Sequence, residues 1–431
     1  MHYESEDEIW IIKLLATDAG SQTLDDYLKY SEKELQDLPS EILFGRLFID
    51  IGEYDKSIEY FEALLQNMEN KFIMTLAYNY MGRAYVLKAD YRNACEKLML
   101  ALQMQQEHEP SNFYLAAITH KNVAWLNTCQ DNWTNAIDHY RQALDFYHKV
   151  SNYSCFDEIG KTLSNMAVFA MKQAQYKEAH SFLNEAHEKM LQAHMPSDHP
   201  SFSLHHMNLG LLYKNMGQFD EAMEQFNVAL KMREHTLPPY HIEIGRTLVA
   251  IGTTWRSMNN PDRALEYLLR ALSIHQKALQ PDHPDLTLVW NSIGTSYASQ
   301  GKFERALVYF FKTLQQYEKI WGSNRDHEDT ARSLLNIGEC YREMNNYKLA
   351  LVYLEKSLKM RINSLGNDHP DTATAYVNLS MTLKSLHQYK QAMAYAMHGL
   401  KIRRNKLPSD NQDLIDTEKL IDELSVLLQK H

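Results

Sequence analysis

Between Asn208 and Leu230 the chain alternates two apolar stripes at helical spacing. Leu209, Leu212 and Tyr213 share one face of a first helix, and Ala222, Phe226, Ala229 and Leu230 share one face of a second. Met216-Gly217-Gln218 supplies a turn between them. Gly210 and Ala222 fall where the two helices would cross, and small side chains there let the axes come close. The same pattern recurs along the chain. With the small residue of the first helix as a marker, it returns at Gly45, Gly82, Ala124, Ala167, Gly210, Gly252, Gly294, Gly338 and Ser380. Twelve residues after the markers stand Ser57, Ala94, Ala136, Ala179, Ala222, Ala264, Ala306, Ala350 and Ala392. The markers are 37, 42, 43, 43, 42, 42, 44 and 42 residues apart, and nine residues after each is an aromatic, except for Pro261. A proline there suits the first turn of a helix. This register predicts an array of helical hairpins.

The residues that fill the register resemble the tetratricopeptide repeat family, in the 42-residue form typified by kinesin light chain. The resemblance rests on N-L-G-x-x-Y at 208–213, N-I-G-x-x-Y at 336–341 and S-I-G-x-x-Y at 292–297. The linkers Asp198-His199-Pro200, Asp282-His283-Pro284-Asp285 and Asp368-His369-Pro370-Asp371 add to it. It implies an all-α fold, an α-α superhelix of about nine hairpins whose concave side, lined by the first helices, holds a peptide. The expected divisions are an N-terminal cap over 1–37, the repeat array over 38–405 and a capping helix over 406–431, with its apolar stripe at Leu414, Ile421, Leu424 and Leu428. Within 1–37, Glu8–Leu15 reads equally as a strand or a buried helix, and a helix is expected from about Thr23 to Gln36.

Composition narrows the function classes. Cys95, Cys129, Cys155 and Cys340 are scattered with no C-x-x-C spacing, which predicts free thiols in a reducing compartment. The start of the chain lacks the order of a signal peptide, and no apolar run approaches the ~20 residues of a membrane helix. The expected location is therefore the cytoplasm, with no membrane partner. A formal charge of −11 argues against nucleic acid.

Apparent catalytic motifs do not hold. Ile159-Gly160-Lys161-Thr162 resembles the end of a phosphate loop, but Cys155 stands where the required glycine would be. His199, His283 and His369 occupy linkers of alternate repeats, too far apart to share one metal ion, and are expected to cap helices. No nucleophile–base pair or H-E-x-x-H is present. The chain therefore reads as a non-enzyme with no cofactor and no metal.

The first helices carry the candidate site. Positions −6, −3, −2, +1, +4 and +5 from the marker are expected to share a face. Asparagine recurs at −2 as Asn122, Asn165, Asn208, Asn336 and Asn378. Its amide both donates and accepts, so a ladder of them can bond the backbone of an extended peptide, or can tie neighbouring repeats together. Basic residues on this face include Lys121, Lys172, Lys214, Arg246, Arg256, Arg332, Arg342 and Lys384, as well as Arg46 and Arg83, against Asp50, Glu339 and Glu343. A basic channel in an acidic protein would concentrate anionic partners. The reading is an adaptor that binds an acidic peptide segment of another protein, and the resemblance implies a motor or signalling complex. The alternatives are the regulatory half of an ADP-ribosyltransferase-type enzyme, a scaffold binding through its outer faces, and RNA binding.

Overall fold

The computed structural model describes residues 2–3, 10–11, 38–50, 53–88, 90–130, 132–150, 155–193, 200–279, 281, 283–321, 326–408 and 411–430. Nine second helices begin at the residue nine places after the marker: α2 (Tyr54–Gln66), α4 (Tyr91–His108), α6 (Trp133–Lys149), α8 (Tyr176–Gln192), α10 (Phe219–Thr236), α12 (Pro261–Ala278), α14 (Phe303–Trp321), α16 (Tyr347–Leu365) and α18 (Tyr389–Lys406). Their first-helix partners are α1 (Ser40–Asp50), α3 (Lys71–Leu87), α5 (Phe113–Cys129), α7 (Phe156–Lys172), α9 (Pro200–Asn215), α11 (Ile242–Ser257), α13 (Pro284–Ser299), α15 (Glu328–Glu343) and α17 (Pro370–Ser385). A last helix, α19 (Gln412–Lys430), follows. The fold is all-α. Of the ambiguous run at 8–15, Trp10–Ile11 forms a two-residue strand antiparallel to His2–Tyr3. The rest of that run and the helix expected near 23–36 lie outside the described residues.

The last six hairpins close in the same way. Seven residues after the marker the backbone turns left-handed, at Ala174, Gly217, Asn259, Gly301, Asn345 and His387, with φ between 57° and 77°. In the fifth hairpin Gln218 N–H reaches Tyr213 O at 2.9 Å and Gly217 N–H reaches Lys214 O at 3.0 Å, which satisfies carbonyls at the end of α9. The markers sit where the helices cross. A Cβ added to Gly210 would lie 2.5 Å from Phe226, and one added to Gly294 would lie 2.6 Å from Phe310. In the ninth hairpin the sizes are exchanged, since Ser380 opposes the small Ala396 and donates its hydroxyl to Ala392 O at 2.7 Å.

The chain divides into two compact units, Met1–Thr254 with Lys277–Leu279, and Trp255–Gln276 with Gln280–His431. In the first, each of α2, α4, α6 and α8 packs on the next first helix; in the second, α14, α16 and α18 do the same. First helices also stack directly, α1 on α3, α3 on α5 and α7 on α9 in one unit, and α13 on α15, α15 on α17 and α17 on α19 in the other. Leu414, Leu420 and Leu424 bury α19 against its neighbours. The sequence reading missed one joint. Twenty-three residues after the marker, near the end of each second helix from α4 onward, stands a buried side chain, and where it is arginine it reaches forward. Arg233 donates to Glu243 O at 2.9 Å and Thr247 Oγ1 at 2.7 Å; Arg403 donates to Asp413 O at 2.7 Å and Thr417 Oγ1 at 2.6 Å; Arg361 donates to Asp371 O. These guanidiniums tie a second helix to the first turn of the next hairpin.

Candidate functional site

The entrance to several first helices is set by histidine. His241, His283, His327 and His369 each accept, through Nδ1, the backbone N–H two residues on, at 3.1–3.2 Å. This meets the capping expected of His283 and His369; His199 lies outside the described residues. In this arrangement the accepting Nδ1 carries no hydrogen.

From that entrance a part-exposed stripe runs down each first helix. On α15 it comprises Asp329, Arg332, Asn336, Glu339 and Glu343; on α17 it comprises Asp371, Thr374, Val377, Met381 and Lys384. It therefore starts nine residues before the marker, one turn earlier than the face counted from the sequence. Several expected face positions, including Leu76, Asn79, Ile118 and Leu335, are instead buried.

The amide ladder exists, and it joins hairpins. Asn122 Nδ2 donates to Asn79 Oδ1 at 3.1 Å, and Asn79 Nδ2 reaches Thr119 Oγ1 at 2.9 Å. Asn336 Nδ2 donates to Asn291 Oδ1 at 3.0 Å, and Asn378 Nδ2 to Glu339 Oε1 at 2.7 Å. Asn165 on α7 bonds Tyr140 on α6 of the preceding hairpin, and Asn208 is buried on α9. Of the two roles open to these amides, the structure displays the tie between repeats for Asn122, Asn165, Asn336 and Asn378.

The cations are less free than a count of positions suggests. Lys121 pairs with Glu158, which also accepts from Lys161 at 3.4 Å and from the Tyr147 hydroxyl at 3.3 Å. Burial pushes the Lys121 ammonium down while Glu158 pulls it back up. Arg246 meets Glu243 at 2.6 Å, and Arg233 meets the same carboxylate at 2.9 Å. Burial raises the Glu243 carboxyl, but Arg246 and Arg233 outweigh it and hold it at about 2. Arg332 pairs with Asp329, and Lys384 with Glu423. The acids Glu158, Glu243 and Asp329 all stand nine residues before the marker, outside the face counted from sequence, and they correct its charge balance.

Other cations stand in the last turns of the first helices. Lys172 is exposed and lies 5.5 Å from the centre of the Trp133 ring. Lys214 donates to Thr253 Oγ1 at 2.6 Å. Arg342 pairs with the exposed Glu343 at 2.8 Å, and its Nε has no hydrogen-bond partner among the described residues. The Nε of Arg256 likewise has none, and burial lowers the pKa of that guanidinium. Glu339 is the one carboxylate in the middle of the α15 stripe. Burial raises its pKa against the Asn378 bond and the charges of Arg342 and Arg361.

Tetratricopeptide repeat models match residues 207–243 and, in overlapping pairs, 243–319, 285–363 and 329–405. Residues 207–405 of the chain are tetratricopeptide repeats. Among solved structures, a Rap protein complexed with competence and sporulation factor superposes on these repeats with a TM-score of 0.60 at 14% identity, covering 85% of this chain and 97% of the other. A signal-transduction ATPase with numerous domains and a tetratricopeptide repeat sensor, from Pyrococcus horikoshii, gives 0.53 at 14% identity, covering 88% and 55%. The kinesin light chain repeats of Podosopora anserina give 0.42 at 18% identity, covering 49% and 99%. At such identities the likeness is one of fold. Among curated protein sequences none matches. Tetratricopeptide repeats present extended surfaces to other proteins and are generally non-catalytic, so the protein is a protein-interaction repeat scaffold. Among the described residues, no group of three or more metal-ligating side chains could hold an ion, and no helix is long and apolar enough to cross a membrane.

Proposed function

We propose that the protein is an adaptor that holds an extended segment of another protein across its first helices, with acidic side chains of that segment against the last-turn cations. The supporting observation is that these cations share a register. Four or five residues after the marker stand Lys172 and Lys214 in the first unit and Arg256, Arg342 and Lys384 in the second. A guanidinium grips a carboxylate in two-pronged fashion, and such charge-assisted bonds are about twice as strong as neutral ones. The amide rungs beside them bring polar side chains to the stripe, where an incoming backbone has donors and acceptors to meet. The Rap protein of the same fold, crystallised in complex with a factor, is a precedent for such repeats holding a bound partner.

The test is selection from a peptide library with wild type and with an Arg256→Glu/Arg332→Glu/Arg342→Glu variant, each checked by circular dichroism. The proposal expects the folded variant to lose the acidic ligands; retention of every ligand overturns it. A second reading, docking on the outer faces, is favoured by one observation. Val308, Phe311, Val352 and Met397 lie exposed on the second helices α14, α16 and α18. Phe311→Ser with Val352→Ser would abolish binding on that reading and leave it unchanged on the first.

A further inference from the structure

The later second helices of the second unit expose a surface whose charge runs against that of the chain. On α14, α16 and α18 the exposed bases outnumber the exposed acids by three to two, three to one and four to none. On α8 and α10 the exposed acids lead instead, by three to one and four to one. The chain as a whole carries a formal charge of −11, so these bases are concentrated against its balance. The helix dipole does not account for them. Lys348 and Lys390 stand in the first turns of α16 and α18, the end at which a dipole disfavours a cation. Arg305, Lys312 and Lys356 lie over the rings of Tyr297, Tyr309 and Tyr353, 5.6–5.9 Å from the centroids, contacts that leave their charge uncancelled.

Apolar side chains are set among these bases in register. Fourteen residues after the marker, four of the first five hairpins hold an exposed acid, at Glu59, Glu96, Asp138 and Glu224. The seventh and eighth hold Val308 and Val352 there, 54% and 45% exposed. The fold accepts a charge at this position, so packing does not call for valine. Phe311, one turn on from Val308, meets the Tyr353 ring edge-on at 6.0 Å, and the apolar surface is therefore continuous from α14 to α16. Leu349 lengthens it on α16, and Met397 takes the place of Phe311 on α18. Lys312 and Lys356 each stand one turn beyond the valine of their helix. Single exposed apolar residues are ordinary, whereas a contiguous group rimmed by charge marks an interaction surface.

We infer that the outer seam of α14 and α16 docks an acidic amphipathic helix of a second partner protein. An adaptor joins two partners, and a segment held across the first helices accounts for one of them. The seam is a separate surface, so the inference goes beyond the groove reading. An amphipathic helix lays a ridge of apolar side chains, spaced i, i+3, i+4 and i+7, into a seam of this kind. Glutamates beside that ridge fall against Lys312 and Lys356, and the basic field steers them there. A helix of about 18 residues is about 27 Å long, which matches the 19 residues of α14 and of α16. An anionic bilayer fits less well. Lysine reaches further from its helix than valine, so a flat surface meets the ammonium groups and leaves Val308 and Val352 short of hydrocarbon. A polyanion without apolar groups pairs the bases and leaves the seam uncovered.

The experiment titrates the full chain against a fluorescein-labelled synthetic helix of about 18 residues, leucine along one face and glutamate on both flanks, and reads anisotropy. Phe311→Ser/Val352→Ser and Lys312→Glu/Lys356→Glu should each weaken binding at least tenfold. A peptide with lysine in place of glutamate should prefer the Lys312→Glu/Lys356→Glu variant to wild type. The triple arginine variant of the groove should bind the acidic helix like wild type. The four substituted side chains are exposed, so both seam variants should fold, as circular dichroism checks. Equal binding by a peptide of the same composition with its leucines scattered would overturn the inference, as would seam variants that bind like wild type. A bilayer or a second copy as the occupant would overturn it too. The first would show as sedimentation with phosphatidylserine vesicles, the second as a salt-sensitive dimer in analytical ultracentrifugation, in each case with the helix peptide left free. None of these results bears on the capture of extended ligands, which the library selection with the triple arginine variant tests by itself.

Discussion

At the scale of single residues, two backbone positions make opposite predictions. Gly294 lies against Phe310 with no room for a methyl group, and overpacking of this kind costs about 1–3 kcal/mol. Alanine would recover about 1 kcal/mol of helix propensity, so Gly294→Ala should lower stability by about 1 kcal/mol in urea titration. Ala174 instead holds a left-handed turn with φ of 57°, which costs an ordinary residue about 1–2 kcal/mol. Ala174→Gly should therefore raise stability by about 1 kcal/mol, and an unchanged midpoint would contradict the strain. Both sites are legible in the sequence by register. What the sequence hides is the size exchange at the crossing, because a residue's opposite number stands sixteen places away on another helix.

At the scale of elements, the forward-reaching side chains explain how one hairpin sets the next. Arg403 is buried and bonded to the first turn of α19, where it satisfies Asp413 O and Thr417 Oγ1. Arg403→Met keeps much of the bulk and removes the donors. A hydrogen bond to a charged group contributes about 1.5–3 kcal/mol. Amide exchange in α19 should therefore quicken by tenfold or more in the variant, with α13 unchanged; equal rates would assign the docking of α19 to Leu420 and Leu424 alone. This position escaped the sequence reading for a chemical reason. It holds Gln105, Tyr147, Met190, Arg233, His275, Tyr317, Arg361 and Arg403, a series with no common residue class. The acids at the first turns escaped for a geometric one, since the stripe extends one turn beyond the face that marker spacing defines. The asparagines were legible as a ladder, but the sequence left open whether the rungs face a ligand or the neighbouring repeat.

At the scale of the molecule, the two units should respond differently to acid. In the first, burial beside His139 lowers His120 to about 4, and burial beside His187 and His206 lowers His205 to about 3. The rings pair closely, with His120 and His139 Nδ1 atoms 2.9 Å apart and the His187 and His205 centroids 4.9 Å apart. An unfolded histidine takes its proton near pH 6.5. Between that pH and about 3–4 the unfolded state binds more protons, so stability in the first unit falls as pH falls through this window. Glu339 in the second unit has the opposite sign. Its raised pKa lets the folded state hold a proton that the unfolded state releases, so its contribution is present in acid and lost as pH rises. Hydrogen exchange, normalised to intrinsic rates, should show the helices around His120 and His205 loosening between pH 6.5 and 4 while α15 and α17 stay protected. Simultaneous loosening would refute the assignment. The scattered histidines give no hint of this in the sequence, because stacking of His187 on His205 depends on which helices adjoin.

The nine-residue interval from marker to second helix never varies, whereas the interval between successive markers ranges from 37 to 44. The left-handed turn leaves no slack at the crossing of a hairpin, so changes of length fall at the far ends of the second helices, from 13 residues in α2 to 19 in α14, and in the junctions that follow them. An epitope or fluorophore spliced in beside Gly366, at the junction after α16, would meet a site already accustomed to variation. The same graft at Gly301 would pull apart the crossing of α13 and α14.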